Sequence, residues 1–191
     1  MDLCREFFDE HGKIKFDEHK KFQFDFTKSK KVYKVDDVNF TGLYLADFIV
    51  ETEKVFIIIE FKNPNHPKST DLERKKFMEE IMGATKKSHH DILEISKNLA
   101  FEIGSKFKDT LLLKWAEEFI FDKPIHYIFI LNDDDIDAGI LSHFEDRVKG
   151  CLPLNIEKHK NIKKKMLQSF TVLNVRMWND LLKDFPIIKI A

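Results

Sequence analysis

The sequence predicts an α/β fold, bordering on α+β, in which a mixed central β-sheet is flanked by helices. Three observations carry this. Two adjacent runs, LYLADFIVET (43–52) and VFIIIEFKN (55–63), are rich in β-branched and aromatic residues; a third, HYIFIL (126–131), follows a long helical stretch; and helical and extended patterns then alternate to the end. A chain of 191 residues with 43% hydrophobic content is enough for one domain over 1–191, with a core over about 1–131 and a C-terminal part over 132–191.

Leu3, Phe7 and Phe8 at helical spacing, with Asp2 as cap, predict a short first helix ending near Gly12. Phe22, Phe24 and Phe26 alternate with Gln23 and Asp25, the period of a half-buried strand, and 32–40 also reads as extended. After Thr41-Gly42 come the two strongest strands. The second is apolar on both faces, as expected of a central strand covered by helices on each side. Pro64 and Pro67 stop it. Thr70 and Glu73 have capping-box spacing, and a long helix follows with Phe77, Ile81, Ala84, Ile95 and Leu99 on compatible faces, ending at Gly104. An amphipathic stretch with Leu111, Leu112, Trp115 and Phe119 leads to the strand at 126–131, with both Trp115 and Trp178 read as core residues. The last third gives a helix over 140–148, a basic stretch over 156–165, a strand over 170–175 and a short helix over 178–182.

Composition narrows the function. The net charge is −1 and the isoelectric point near 6.7, so any contact with nucleic acid must be local. Two cysteines, Cys4 and Cys151, and an acidic start predict a reducing, cytoplasmic setting, and no apolar run approaches the length that spans a bilayer.

The chemistry concentrates on the two strong strands. If they form a hairpin turning at Glu53-Lys54, residues whose numbers sum to 107 lie opposite each other, so Asp47 faces Glu60 and Leu45 faces Lys62. Side chains alternate along a strand, which puts Asp47, Glu60 and Lys62 on one face. Two carboxylates directly across a strand pair repel and need compensation. A divalent cation with a taste for hard oxygen ligands, Mg2+ or Mn2+, supplies it, and an ordinary cross-strand salt-bridge cluster is the competing account.

The pattern D-x12-E-x-K, with Asp47 on one strand and Glu60-Phe61-Lys62 ending the next, resembles the PD-(D/E)xK nuclease superfamily, of restriction-endonuclease-like fold. The resemblance covers roughly residues 1–131. It implies phosphodiester hydrolysis, with Asp47, Glu60 and the Phe61 carbonyl as metal ligands and Lys62 orienting or deprotonating the attacking water. It also implies a further acid on the first helix, Glu6 or Glu10, with Glu6 preferred. Ala46 stands where the signature has proline, and the helix after the motif lacks the glutamine and tyrosine of the RecB-like branch, so no subfamily follows.

Other clusters have competing readings. Nucleic acid, DNA before RNA, is the expected partner, with His66, Lys68, Arg74, Lys75, Lys163 and Lys164 as candidate contacts; solvated faces explain the same lysines. Asp133, Asp134, Asp135 and Asp137 lack the glycine and glutamate spacing of a calcium loop and read as the cap of the next helix. His89, His90 and Asp91 read as a polar patch. Two alternatives stay open: an RNA endonuclease similar to viral cap-snatching domains, for which His11 and His19 are the early histidines, and a non-catalytic binding module on the same fold. Nucleases of this fold often dimerise, so a homodimer is compatible with the sequence.

Overall fold

The structure, a computed structural model, describes residues 14–16, 21–36, 42–66, 69–83, 99–154, 156–162 and 164–190. The expected first helix with Glu6 and Glu10, His11, His19, Lys68, the His89-His90-Asp91 group and Lys163 lie outside the described residues.

The chain forms the expected α/β fold around an open, mixed sheet of five strands in the order β3 (Lys31–Lys34), β4 (Phe48–Glu51), β5 (Phe56–Lys62), β6 (Ile125–Leu131) and β7 (Ser169–Asn174). β3 pairs with β4 and β4 with β5 antiparallel, whereas β5, β6 and β7 run parallel. This is why β5 and β6 are apolar on both faces: each lies between two strands with a packed layer above and below. A separate antiparallel sheet joins β1 (Ile14–Phe16), β2 (Phe22–Asp25) and β8 (Ile187–Lys189).

Among the described residues the α-helices are α1 (Asp71–Met82), α2 (Leu99–Ala116), α3 (Ala138–Lys149) and α4 (Val175–Leu181). Helices were expected on both faces of the main sheet; α1–α3 cover one, and on the other α4 shares the covering layer with the small sheet. Side chains at Phe56, Ile58, Tyr127 and Phe129 pack with Ile81, Ile103, Phe107, Leu141 and Phe144 of α1–α3. Those at Ile57, Ile59, Phe61, Ile128 and Ile130 meet instead the small sheet, through Phe22, Phe24 and Phe26, together with Trp178 of α4. Burial of each such side chain contributes about 1.5–3 kcal/mol. The phenylalanine abundance has a structural home here, in a web in which Phe24 contacts Phe26, Phe48 and Phe61 at ring separations of 6.0, 5.1 and 5.1 Å.

The single long helix expected from Thr70 to Gly104 is interrupted at Gly83. Thr70 does cap α1 in a capping box with Glu73, but α1 ends at Gly83, whose φ of 70° is a left-handed cap. Arg147 of α3 fastens that end by donating to the carbonyls of Glu80 and Ile81, the latter at 2.7 Å. Gly104 lies inside α2 and stops nothing: a Cβ there would come within 2.8 Å of the Cβ of Cys151. Glycine is used for close packing here. The acidic run caps α3 as read, Asp137 accepting from the Gly139 amide at 2.7 Å. β8 had no sequence signal beyond three residues and was not anticipated; it exists because β2 offers it an edge. No helix among the described residues is long and apolar enough to cross a membrane.

Candidate metal centre

The expected hairpin register is observed over Phe48–Glu51. Phe48 pairs with Ile59, Ile49 with Ile58, Val50 with Ile57 and Glu51 with Phe56, each pair summing to 107. Thr52 sets the turn: its amide and hydroxyl donate to the Val55 carbonyl, while its hydroxyl accepts from the amides of Lys54 and Val55. β4 is shorter than the run that predicted it, beginning only at Phe48. Asp47, just before it, nevertheless keeps ladder bonds on both sides, donating to the Ile59 carbonyl at 3.0 Å and accepting from the Val35 amide at 3.0 Å. The paired register ends at Phe48 and Ile59, and the Asp47 amide bonds to the Ile59 carbonyl, one step off that register, so the expected direct pairing of Asp47 with Glu60 is not part of the ladder; Asp47 is nonetheless close enough to Glu60 to feel its charge.

The side chains follow. Glu60 and Lys62 share the face of Ile58, which is the face that α2 covers. Asp47 Oδ2 accepts from the Phe61 amide at 2.6 Å, which fixes its carboxylate at the end of β5. The carbonyls of Ile59 and Phe61 share an edge of the strand, because successive carbonyls alternate. The Phe61 carbonyl is therefore directed to the side on which Asp47 lies, just past the start of β4.

Glu60 is fully buried, and neither carboxylate oxygen accepts a hydrogen bond of normal geometry from any described residue. Two ammonium groups approach at ion-pair distance: Lys62 Nζ at 3.2 Å and Lys106 Nζ at 3.0 Å, both from Oε1. Lys62 is shared with Glu102 at 3.6 Å. Burial pushes the Asp47 carboxyl well above the ordinary carboxylate range, and the negative charge of Glu60 pushes it further; Lys106 and the Phe61 amide pull the other way. Burial alone would lower the Lys62 ammonium, yet Glu60, Glu102 and Asp47 hold it above its usual value, so Lys62 is charged throughout the physiological range.

Glu102 and Lys106 were not read from the sequence. They stand at i and i+4 on α2, and ending a helix at Gly104 separated them. The signal was present in E-x3-K flanked by Ile103 and Phe107. The same helix clamps the approach to Asp47: the Tyr44 amide donates to Asp109 at 2.9 Å, the Ala46 amide to Thr110 at 2.9 Å, and Lys106 Nζ donates to the Leu45 carbonyl at 3.0 Å.

The other candidates are scattered. A cleft of about 170 Å³ beside Lys62 is lined by Arg74, Ser69 and Glu73, while Arg74 donates to the Ser69 carbonyl and pairs with Asp71. His66 is half-buried in the loop after β5 and Lys75 is exposed on α1. Lys164 is elsewhere: it donates to the Phe121 carbonyl near the opposite end of the sheet, about 20 Å away along seven residues of β5. The basic residues around 74 and around 164 thus do not form one surface. Trp178 is buried as expected, but Trp115 is 75% exposed, correcting its assignment to the core; with Leu112, Ile120 and Met166 it lines a groove of about 610 Å³ at the far end of α2.

The described residues contain no group of three or more histidine, cysteine, aspartate or glutamate side chains placed to hold a metal. What they do contain is a pair of neighbouring carboxylates, one buried without hydrogen bonds of normal geometry, a carbonyl on the same strand edge and two lysines. The oxygens are of the hard kind that Mg2+ or Mn2+ takes, while the charge of Glu60 is met by two ammonium groups at ion-pair distance. Comparison of the chain with protein-family models, with curated proteins and with solved structures found no match, so the function rests on this geometry.

Proposed function

We propose that the protein is a Mg2+- or Mn2+-dependent nuclease that hydrolyses phosphodiester bonds, with DNA as the preferred substrate class in line with the resemblance of its D-x12-E-x-K pattern, and that it works in the cytoplasm. The observation that carries the reading is Glu60. A fully buried carboxylate without hydrogen bonds of normal geometry, whose charge is met by two ion pairs and which stands near a second carboxylate driven toward its neutral form, is a costly arrangement for stability alone. Such strain is characteristic of sites arranged for a ligand.

In this reading Asp47, Glu60 and the Phe61 carbonyl would hold the ion, which supplies Lewis acidity and an acidified water when bound. The chain's own work is positional. The Phe61 amide fixes the Asp47 carboxylate, α2 clamps residues 44–46, and β6 fixes β5 from the other side, with Asn132 donating to the Lys62 carbonyl at 2.9 Å. Lys62, held protonated, orients the attacking water and offsets negative charge on the phosphate. Arg74 and the cleft next to Lys62 lie where a phosphate backbone would run.

Two lysines against Glu60 also favour a second reading, a charge-compensated binding module without catalysis. Calorimetric titration of Mn2+ into the wild type and Asp47→Ala, with circular dichroism to check folding, separates them. The nuclease reading expects binding by the wild type, none by the variant, and loss of DNA cleavage by at least about 100-fold in Lys62→Ala with its fold retained. Cleavage that persists in both variants would refute the assignment.

A further inference from the structure

Lys106 is the charged group at this centre for which the nuclease reading has no task. Its side chain is only 13% exposed, and its ammonium lies 3.0 Å from Glu60 Oε1 and 3.0 Å from the Leu45 carbonyl oxygen. These two oxygens bracket Asp47: one lies two residues before it in the chain, the other across the strand pair. An ammonium held between a buried carboxylate and a main-chain carbonyl has the surroundings of a coordinated hard cation. A long side chain fixed in this way loses rotamer freedom, which the neutralisation of Glu60 offsets.

We propose that Lys106 is a built-in cation that competes with the divalent metal for Glu60, so that metal binding requires Lys106 to release that carboxylate. The inference rests on the metal-site reading of the same centre. Lys106, and not Lys62, is the competitor. Lys62 follows Glu60 on its own strand face and keeps Glu102 as an alternative partner at 3.6 Å, so it stays balanced when Glu60 turns to a metal. The second partner of Lys106 is a neutral carbonyl, and a divalent ion at Glu60 would face its positive charge at close range. Its departure would not free the Asp47 approach, because Asp109 and Thr110 still hold Tyr44 and Ala46. The consequence is a threshold: with little divalent ion present the carboxylates remain compensated and in place, and the ion binds only when its concentration overcomes the lysine.

The test uses the full chain, Mn2+ alone as probe, and three variants. Lys106→Met removes the charge, Lys106→Gln removes it while keeping a donor for the Leu45 carbonyl, and Lys106→Arg keeps it. Calorimetry is expected to give Mn2+ affinity about tenfold or more tighter in the two neutral variants and close to wild type in the arginine variant. Thermal melts supply a second readout. In chelator the neutral variants melt below the wild type, and saturating Mn2+ raises their Tm by more than it raises that of the wild type. If Lys106→Met does not fold in chelator, Lys106→Gln decides the affinity comparison. Neutral variants that bind Mn2+ no more tightly than a wild type that does bind it would overturn the role of Lys106 and leave the metal site standing. Absence of Mn2+ binding in every protein, wild type included, would overturn both.

Discussion

Asp47 makes a conflict between stability and function measurable. Its carboxyl is raised by burial and by Glu60, so its neutral form is favoured in the folded chain. The sign follows by linkage. The stabilisation that protonation gives is fully present below the ordinary value of 3.8 and is lost as pH rises through the elevated folded value. At neutral pH in chelator Asp47→Asn should therefore be more stable than the wild type, with a Tm higher by about 2–4 °C for each kcal/mol gained, and the advantage should shrink toward pH 4. Saturating Mn2+ should reverse the order by stabilising only the wild type. An ordinary salt-bridge cluster predicts the opposite, a less stable Asp47→Asn, and that result in a melting series would exclude the functional account of this residue. The hairpin register from Phe48 to Glu51 was legible because it needs only the turn position and strand period two, whereas the step at Asp47, whose amide bonds to the Ile59 carbonyl, has no local signal. The lysine and glutamate on α2 were not legible, since which helix face meets Glu60 is a tertiary fact with no local signature.

At the level of elements, α2 shows why glycine misleads. Gly104 looked like a stop because glycine lowers helix propensity, yet the helix continues for 12 more residues. Its buried face, Ile103, Phe107, Thr110 and Leu113, outweighs a propensity cost of about 1 kcal/mol. What glycine provides is approach: a Cβ at 104 meets the Cys151 Cβ at 2.8 Å and the Cys151 carbonyl oxygen at 3.2 Å. Gly104→Ala would gain about 1 kcal/mol of propensity and lose about 1–3 kcal/mol to overpacking. Because one of the clashing atoms is backbone, the loss wins, and a urea titration should show a lower midpoint at unchanged slope. A higher midpoint would mean that α2 and the loop after α3 part freely. The real stop, Gly83, carries the left-handed cap that sequence cannot distinguish from an interior glycine without knowing where the chain turns.

On the scale of the whole molecule, β5 and β6 belong to two cores at once, with Ile58 and Tyr127 facing the helices and Ile57, Ile59 and Ile130 facing the small phenylalanine-rich sheet. The class of fold was legible from the apolar strands, but the second layer was not: β2 carried the right alternation, and nothing local said that it would leave the main sheet to pair with β8. Shared strands make the two cores one cooperative unit, because neither can lose its layer without uncovering the other face of the same strands. The two tryptophans give the means to test this. Trp178 is buried against the small sheet and donates to the Phe185 carbonyl at 2.5 Å, whereas Trp115 is 75% exposed. Trp115→Phe should cost no more than about 0.5 kcal/mol, as for other exposed positions, and leaves Trp178 as the sole tryptophan, excited selectively at the red edge of the aromatic absorption. In that variant urea unfolding followed by Trp178 emission reports the small-sheet face, and far-ultraviolet circular dichroism reports mainly α1, α2 and α3 on the other. Coincident midpoints are expected; a Trp178 transition well before the loss of helix would show that the small sheet detaches alone, and the Asp47, Glu60 and Lys62 cluster on the helical face would then be held by α2 and the main sheet without its support.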